Sequence, residues 1–171
     1  MVKATEGVYE YIERAFAEKG ENGGFEAGSS LFSFGYDGCW YSNLRSVLPK
    51  EAWDILRKMV YKRADGKCDI CGKPSERLEA HERWSYDEKR GIQKLEEVIA
   101  VCPLCHSVIH IGRTQLKGDE DKAIKHFMEV NGCSYADYRK ALGKAVEDHK
   151  RRNLVPEWAL DLSYLKEIVG K

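Results

Sequence analysis

Residues 68–72 read CDICG, and residues 102–106 read CPLCH. Each stretch carries two cysteines separated by two residues, a spacing typical of cysteine pairs that bind zinc. Gly72 permits the tight turn of a zinc knuckle, and Pro103 suits the first turn of a helix. The two pairs together predict one closed structural Zn²⁺ site with four thiolate ligands: Cys68, Cys71, Cys102 and Cys105. A redox dithiol would need only one pair, so the second pair argues against it.

The composition is that of an ordinary globular protein. The chain has 171 residues, of which 43% are hydrophobic and 33% charged. No apolar run approaches the length that crosses a bilayer, and residues 1–16 lack the apolar centre of a secretory signal. We therefore expect no membrane association and a cytoplasmic location. In that compartment, six cysteines are metal ligands or reduced thiols rather than disulfides.

The formal net charge is zero, whereas nucleic-acid-binding proteins usually carry an excess of basic residues. A phosphate-binding surface would therefore have to come from an uneven distribution of balanced charges. Two local basic clusters lie at residues 57–67 and 150–152. Either cluster is equally well explained as the solvated face of a helix, so charge alone does not decide the function.

The first 66 residues predict two helices separated by irregular chain. Residues 6–19 have the periodicity of an amphipathic helix. Residues 20–30 are rich in glycine and predict a loop, and the aromatic segment 31–44 suggests short strands or an irregular hairpin. Pro49 suits the start of a second helix that ends near residue 65.

The residues after the second cysteine pair predict a helical flank. Residues 119–131 suggest a helix closed by Gly132, and Ser134 with Asp137 resembles a capping box that opens another helix. The alternation after Pro156 suggests a short extended segment. These elements divide the chain into an N-terminal flank at 1–66, a zinc-stabilised core at 67–113 and a C-terminal flank at 114–171.

Three of the five histidines fall between the cysteine pairs or just after them: His81, His106 and His110. His106 and His110 are four residues apart on the helix that Pro103 begins, so they share one face. His81 follows the knuckle in a segment, 78–82, that is typical of a strand. If that strand packs on the helix, three neutral imidazoles surround one point and can bind a divalent catalytic metal.

This order of residues resembles the HNH endonuclease family, which has a ββα-metal core with zinc-binding cysteines. The resemblance covers about residues 68–112. It implies an α+β fold in which a small, treble-clef-like zinc core is framed by flanking helices. It also implies an endonuclease that hydrolyses DNA phosphodiester bonds with Mg²⁺ or another divalent metal. By position, His81, His106 and His110 match the family's metal ligands, and Glu79 matches an acidic residue that family members often have.

Two positions depart from the family pattern. Glu82 stands where the family has a histidine as general base, and Glu97 stands where it has an asparagine. A carboxylate can act as a base, although its ordinary pKa makes it weaker near neutrality. In an alternative register, His81 is the base, and Glu79 or Glu82 helps to hold the metal.

Two functions follow from these patterns. The first is the HNH-type endonuclease, with phosphate contacts from Arg57, Lys58, Arg63, Arg83 and Arg113. The alternative is a non-catalytic, zinc-stabilised module that binds nucleic acid or protein and has lost the general base. The nuclease needs a second metal at the histidines, whereas the module needs only zinc. The sequence leaves open the oligomeric state and the nucleic-acid preference.

Overall fold

The structure is a computed structural model, and it describes residues 44–165. The predicted helix at 6–19, the glycine-rich loop at 20–30 and all but the last residue of the aromatic segment 31–44 lie outside the described residues. Within residues 44–165, no helix combines the length and the apolar character needed to cross a membrane.

The described chain folds into a small sheet surrounded by helices, so the predicted α+β class is confirmed. In chain order the elements are α1 (Leu44–Val47), α2 (Lys50–Ala64), β1 (Glu79–Asp87), β2 (Ile92–Val101), α3 (Pro103–Ile109), α4 (Ile111–Leu116), α5 (Glu120–Asn131), α6 (Tyr135–Arg152) and β3 (Ala159–Asp161). The consecutive elements β1, β2 and α3 form the predicted ββα unit.

The sheet has three strands in the order β1-β2-β3. β1 and β2 form an antiparallel hairpin in which His81 lies opposite Ile99. β3 pairs in parallel with the first residues of β2. Because side chains alternate along a strand, the two faces of the hairpin carry different residues and have different neighbours.

One face of the sheet packs against α2. Trp53, Leu56 and Val60 of this helix are buried against Leu95 and Val98 of β2. The helix begins after Pro49 and ends where Asp65 adopts a left-handed conformation, with φ of 48°. The predicted helix and both of its ends are therefore confirmed.

The opposite face packs against α3 and the cysteine knuckle. Ile99 and Val101 of β2 lie in one buried cluster with Ile109 of α3 and with three of the cysteines, namely Cys68, Cys102 and Cys105. The sheet thus separates α2 from the part of the molecule that contains the predicted metal ligands.

The C-terminal helices form a second core beside α3. Phe127 of α5 and Tyr138 of α6 pack with Val108 and Ile111. Gly132 ends α5 in a left-handed conformation, and Ser134 forms a capping box with Asp137 at the start of α6. Both helix boundaries were predicted from these capping residues.

The end of the described chain returns to the hairpin. The amide of Ala159 donates a hydrogen bond of 2.7 Å to the carbonyl oxygen of Gly91 in the β1–β2 turn. A Cβ at Gly91 would lie 2.8 Å from the carbonyl oxygen of Glu157, so this close approach needs glycine. Arg151 also pairs with Glu88 of the same turn, at 2.9 Å. Residues from both predicted flanks therefore complete the sheet and core of the central segment.

Candidate metal centres

The four cysteines of the two CxxC pairs come together in the structure. Their Sγ atoms all lie within 4.8 Å of one another, and those of Cys71 and Cys102 are 3.9 Å apart. Four sulfurs bound at about 2.3 Å to one tetrahedral zinc are separated by roughly 3.8 Å. The cluster is therefore compatible with a structural zinc site, and the predicted ligand set is brought together.

Backbone hydrogen bonds shape the first pair into a knuckle. The amide of Gly72 donates to the carbonyl oxygen of Cys68 at 2.9 Å, and the amide of Cys68 donates to Lys73 at 3.0 Å. Gly72 has φ of 67°, which favours glycine. In the second pair, Cys102 is the N-cap of α3, and its Sγ accepts a hydrogen bond from the amide of Cys105 at 3.4 Å. Local structure therefore directs the sulfurs toward one another.

Asp69 lies inside the knuckle and connects it to β2 and α2. Its carboxylate accepts a hydrogen bond of 2.7 Å from the amide of Ala100 and forms an ion pair with Arg63 at the end of α2. Arg63, which the sequence suggested as a phosphate contact, thus holds the zinc knuckle against the rest of the fold.

The thiols interact strongly with one another. Hydrogen bonds from Cys102 and Cys105 hold the pKa of the Cys68 thiol far below its usual range. Hydrogen bonds with Cys102 and Cys68, together with burial, raise the pKa of the Cys105 thiol. Three of the four thiols are buried. Ionising all four requires a cation that compensates their charge, and Zn²⁺ would supply this compensation.

The three predicted histidines form a second cluster. His81 comes from β1, His106 from α3, and His110 from the junction of α3 and α4, and their ring nitrogens lie within 4.8 Å of one another. Their ring centroids are 5.5, 5.2 and 4.5 Å apart. Imidazoles sharing one metal at about 2.1 Å have centroids roughly 4.5–5.5 Å apart. The three rings therefore fit a single metal ion.

Glu79 orients one of these rings. Its carboxylate contacts Nδ1 of His106 and also pairs with Arg77 at 2.9 Å. A carboxylate accepts a hydrogen bond, so Nδ1 of His106 carries the proton and Nε2 keeps its lone pair. Carboxylate–histidine contacts of this kind fix the tautomer and orientation of metal-binding histidines. The acidic residue expected near the cluster is thus in contact with it.

The histidines are in the chemical state that metal binding needs. Burial lowers the pKa of His81 well below its usual range, and the neighbouring His110 and His106 add to this effect. Burial, with smaller contributions from His106 and Arg113, lowers the pKa of His110 to about 4. Burial also lowers the pKa of His106, although its bond to Glu79 opposes the shift. Neutral imidazoles, which bind metals, therefore predominate at neutral pH.

His110 lies at a bend in the chain rather than inside a helix. α3 ends at Ile109, and the amide of His110 donates to the carbonyl oxygen of His106 at 3.0 Å. The hydroxyl of Thr114 donates to the carbonyl oxygens of Ser107 and His110, at 2.7 and 3.1 Å. These bonds hold the bend and keep both rings on the same side.

Glu82, the predicted general base, is not brought to this cluster. It follows His81 directly in β1, so its side chain points to the opposite face of the sheet. There its carboxylate accepts a hydrogen bond of 3.2 Å from the amide of Leu44. Burial raises the pKa of Glu82, while backbone hydrogen bonds oppose the shift. This alternation places Glu82 away from the three histidines, so the structure does not support its predicted role as the general base of that site.

We expect the substitution Glu82→Gln to leave metal binding at the histidines unchanged, because the side chain lies on the other face of the sheet. Glutamine also keeps an oxygen that can accept the bond from Leu44. Calorimetric titration of a transition metal should give the same affinity for the variant and the wild type, within about twofold. A tenfold loss of affinity in a variant that melts normally would return Glu82 to the site.

The predicted phosphate contacts are divided between the two sides of the sheet. Arg57 and Lys58 belong to α2, which covers the face opposite the histidines. Arg83 lies on the same face as His81 and pairs with Glu97 at 2.7 Å. The register of the hairpin shifts between Arg83 and Trp84. Glu97, which stands at the family's asparagine position, is therefore paired with Arg83 beside the cluster.

The sequence did not single out Arg45 or His126. The charge of Arg45 lowers the pKa of His106, although burial has the larger effect, and its guanidinium lies over the ring of Trp53 on α2, 5.7 Å from the ring centroid. His126, from α5, places Nε2 3.1 Å from Sγ of Cys105. Neither residue belongs to a recognisable motif, so only the packing of distant segments reveals them.

The two donor sets differ in the range of ions that they suit. Four thiolates suit zinc, and three imidazoles with open positions suit a transition metal such as zinc, nickel or cobalt. Mg²⁺ prefers oxygen ligands, and the group of three consists of imidazoles alone. A catalytic Mg²⁺ ion is therefore not supported by these donors.

Comparison with known proteins finds no family model, no curated protein and no solved structure that matches this chain. The assignment of a function consequently depends on the geometry of the two clusters.

Proposed function

We propose that this protein is a metal-dependent endonuclease of the HNH type, which hydrolyses DNA phosphodiester bonds. The observation that supports the proposal is the convergence of His81, His106 and His110 on one point, in a ββα unit that also carries four clustered cysteines. The same order of cysteines, strand histidine and helix histidines is the basis of the resemblance to that family.

The two clusters have separate roles in this proposal. The cysteines hold Zn²⁺ as a closed structural site and stabilise the ββα unit. The histidines hold a second, catalytic ion. A divalent transition metal held by these three imidazoles would supply Lewis-acid chemistry, which polarises a phosphate oxygen and lowers the pKa of bound water.

The side chains of this protein prepare that second site. Glu79 fixes the ring of His106, and the bend at His110 brings its ring beside it. Arg113 on α4 supplies positive charge near His106 and His110. In the proposed complex it binds a phosphate that flanks the scissile bond, and the ion pair with Glu97 holds Arg83 in place.

The test is nicking of supercoiled plasmid by the purified protein, in the presence of manganese, cobalt, nickel, zinc, magnesium or EDTA. We expect transition metals to support conversion to the open-circle or linear form and EDTA to stop it. His81→Ala and His106→Ala should be inactive but folded. His149→Ala is the matched control, because His149 lies on α6 outside the cluster, and it should retain activity.

A second candidate is the zinc-stabilised binding module without catalysis. The position of Glu82 favours it, because the predicted general base lies on the face of the sheet opposite the histidines. The zero net charge of the chain agrees with a surface that is not strongly basic. Retention of plasmid in a gel-shift assay without nicking under any metal, with one zinc per chain, would favour the module.

A further inference from the structure

His126 makes a contact that neither proposed role includes. It lies on α5, outside the ββα unit, and is only 4% exposed. Its Nε2 lies 3.1 Å from Sγ of Cys105, within hydrogen-bonding distance of a sulfur that is itself fully buried. A buried imidazole next to a buried thiolate carries a specific interaction, because both groups have lost contact with water.

His126 does not belong to the ligand set of the cysteine cluster. The four sulfurs lie within 4.8 Å of one another. Among the described residues, the His126 ring is not part of this group of potential ligands. Four thiolates also complete the tetrahedral coordination of zinc. The imidazole therefore contacts the outer side of one ligand.

The negative charge of the four thiolates explains why the contact between His126 and Cys105 can strengthen zinc binding. Four thiolates carry more negative charge than one Zn²⁺ ion compensates, so buried sulfurs need hydrogen-bond donors. Cys102 receives such a bond from the amide of Cys105 at 3.4 Å. For Cys105, the contact with His126 supplies a donor when Nε2 carries the proton.

Packing holds His126 in position independently of the metal. Its neighbour Phe127 and the nearby Ala123 are buried with Val108 of α3 and Tyr138 of α6. The helix that carries the donor is thus fixed on the helix that carries the acceptor. A hydrogen bond between preordered groups loses little entropy when it forms.

We propose that His126 is a positioning residue of the zinc site, which donates a hydrogen bond from Nε2 to the Cys105 thiolate and thereby raises the affinity for zinc. The inference depends on zinc at the cysteines and is independent of nuclease activity. It also connects the C-terminal flank to the metal through Cys105, because the donor belongs to a segment that contributes no ligand.

The test compares full-length His126→Phe and His126→Gln with the wild type. Phenylalanine keeps much of the ring volume and removes the donor, whereas glutamine keeps an N–H group at a similar distance from the backbone. Competition with a chromophoric chelator should show zinc binding about 10- to 100-fold weaker in His126→Phe. His126→Gln should recover most of the affinity. His149→Phe is the control for loss of a histidine from the C-terminal helices and should bind zinc normally.

Cobalt substitution separates a lost hydrogen bond from a packing defect. A donor on the thiolate stabilises the sulfur electrons, so its loss should shift the sulfur-to-cobalt absorption band of His126→Phe to longer wavelength. A packing defect alone would lower the melting temperature and leave the band in place. If His126→Phe does not fold, the inference is tested with His126→Gln, whose sulfur-to-cobalt band should coincide with that of the wild type.

Three results would overturn the inference. One is zinc affinity and a cobalt band in His126→Phe that equal those of the wild type. Another is a shifted band in a folded His126→Gln variant. The third is a wild-type protein that contains no zinc, which would remove the site itself, whereas a wild-type protein that binds zinc but does not cut DNA would leave the inference intact.

Discussion

Replacing Cys71 with serine is expected to release the structural zinc and to abolish the cooperative unfolding transition or lower its midpoint by at least about 10 °C. Structural zinc contributes roughly 10–16 kcal/mol in small zinc-binding peptides. A whole domain is stable by only about 5–15 kcal/mol. In a protein of this size, 1 kcal/mol corresponds to roughly 2–4 °C in midpoint. Loss of one of four ligands therefore removes a large part of the stability.

Cys71 is a suitable position for this test because it is partly exposed, unlike the other three cysteines. Serine there removes the thiolate without leaving a buried cavity. Cys133→Ser is the matched control: Cys133 is also partly buried, lies outside the sulfur cluster and packs at the C-terminal core. Zinc content by mass spectrometry and melting by circular dichroism decide the outcome. Full zinc content and an unchanged midpoint in Cys71→Ser would refute the structural site.

Replacing His106 with alanine is expected to remove the second metal while the first stays bound. His106 is one of three imidazoles that share one point, and it is the one that Glu79 orients. Loss of a direct ligand should weaken transition-metal binding by at least about 100-fold, because even loss of an outer partner costs 10- to 100-fold. Metal per chain should fall from two equivalents to one, and plasmid nicking should disappear.

Two further variants provide reference values for the transition-metal affinity of His106→Ala. Glu79→Gln removes the charge that orients the ring of His106, so its affinity should fall between those of His106→Ala and the wild type. Glu82→Gln, on the other face of the sheet, should match the wild type. An affinity for the second metal in His106→Ala that equals that of the wild type would show that the histidines do not form the second site.

Local sequence rules predicted the parts of the fold that depend on neighbouring residues. The CxxC spacing identified the sulfur cluster, and Pro49, Gly132 and Ser134 predicted helix boundaries. Such signals succeed because turns, caps and knuckles are formed within a few residues. The ββα order followed from the resemblance, and the structure has this order.

The failure at Glu82 has a simple physical origin. His81 and Glu82 are adjacent in a regular strand, so they cannot both point to the same face unless a bulge lies between them. The hairpin does have a register shift, but it lies between Arg83 and Trp84. The position of such an irregularity depends on cross-strand packing, which the sequence of one strand does not reveal.

The contact of His126 with Cys105 could not be predicted for a related reason. A single histidine on an amphipathic helix has no local pattern that identifies its partner. The contact arises because α5 packs on α3 through Phe127 and Val108. The partners of Arg45 and Arg63 likewise lie on other elements, so their roles depend on tertiary structure.

The parallel pairing of β2 with β3 also bears on how this chain folds during synthesis. β1 lies next to β2 in the chain, but β3 follows only after four helices. Contacts between residues so far apart in sequence form slowly, because a long loop must close first. We therefore expect Ile92–Lys94 to be an open strand edge in the nascent chain until Ala159–Asp161 is available for pairing. Such an edge can pair with other chains, so we expect nascent or truncated molecules to depend on chaperones at this stage.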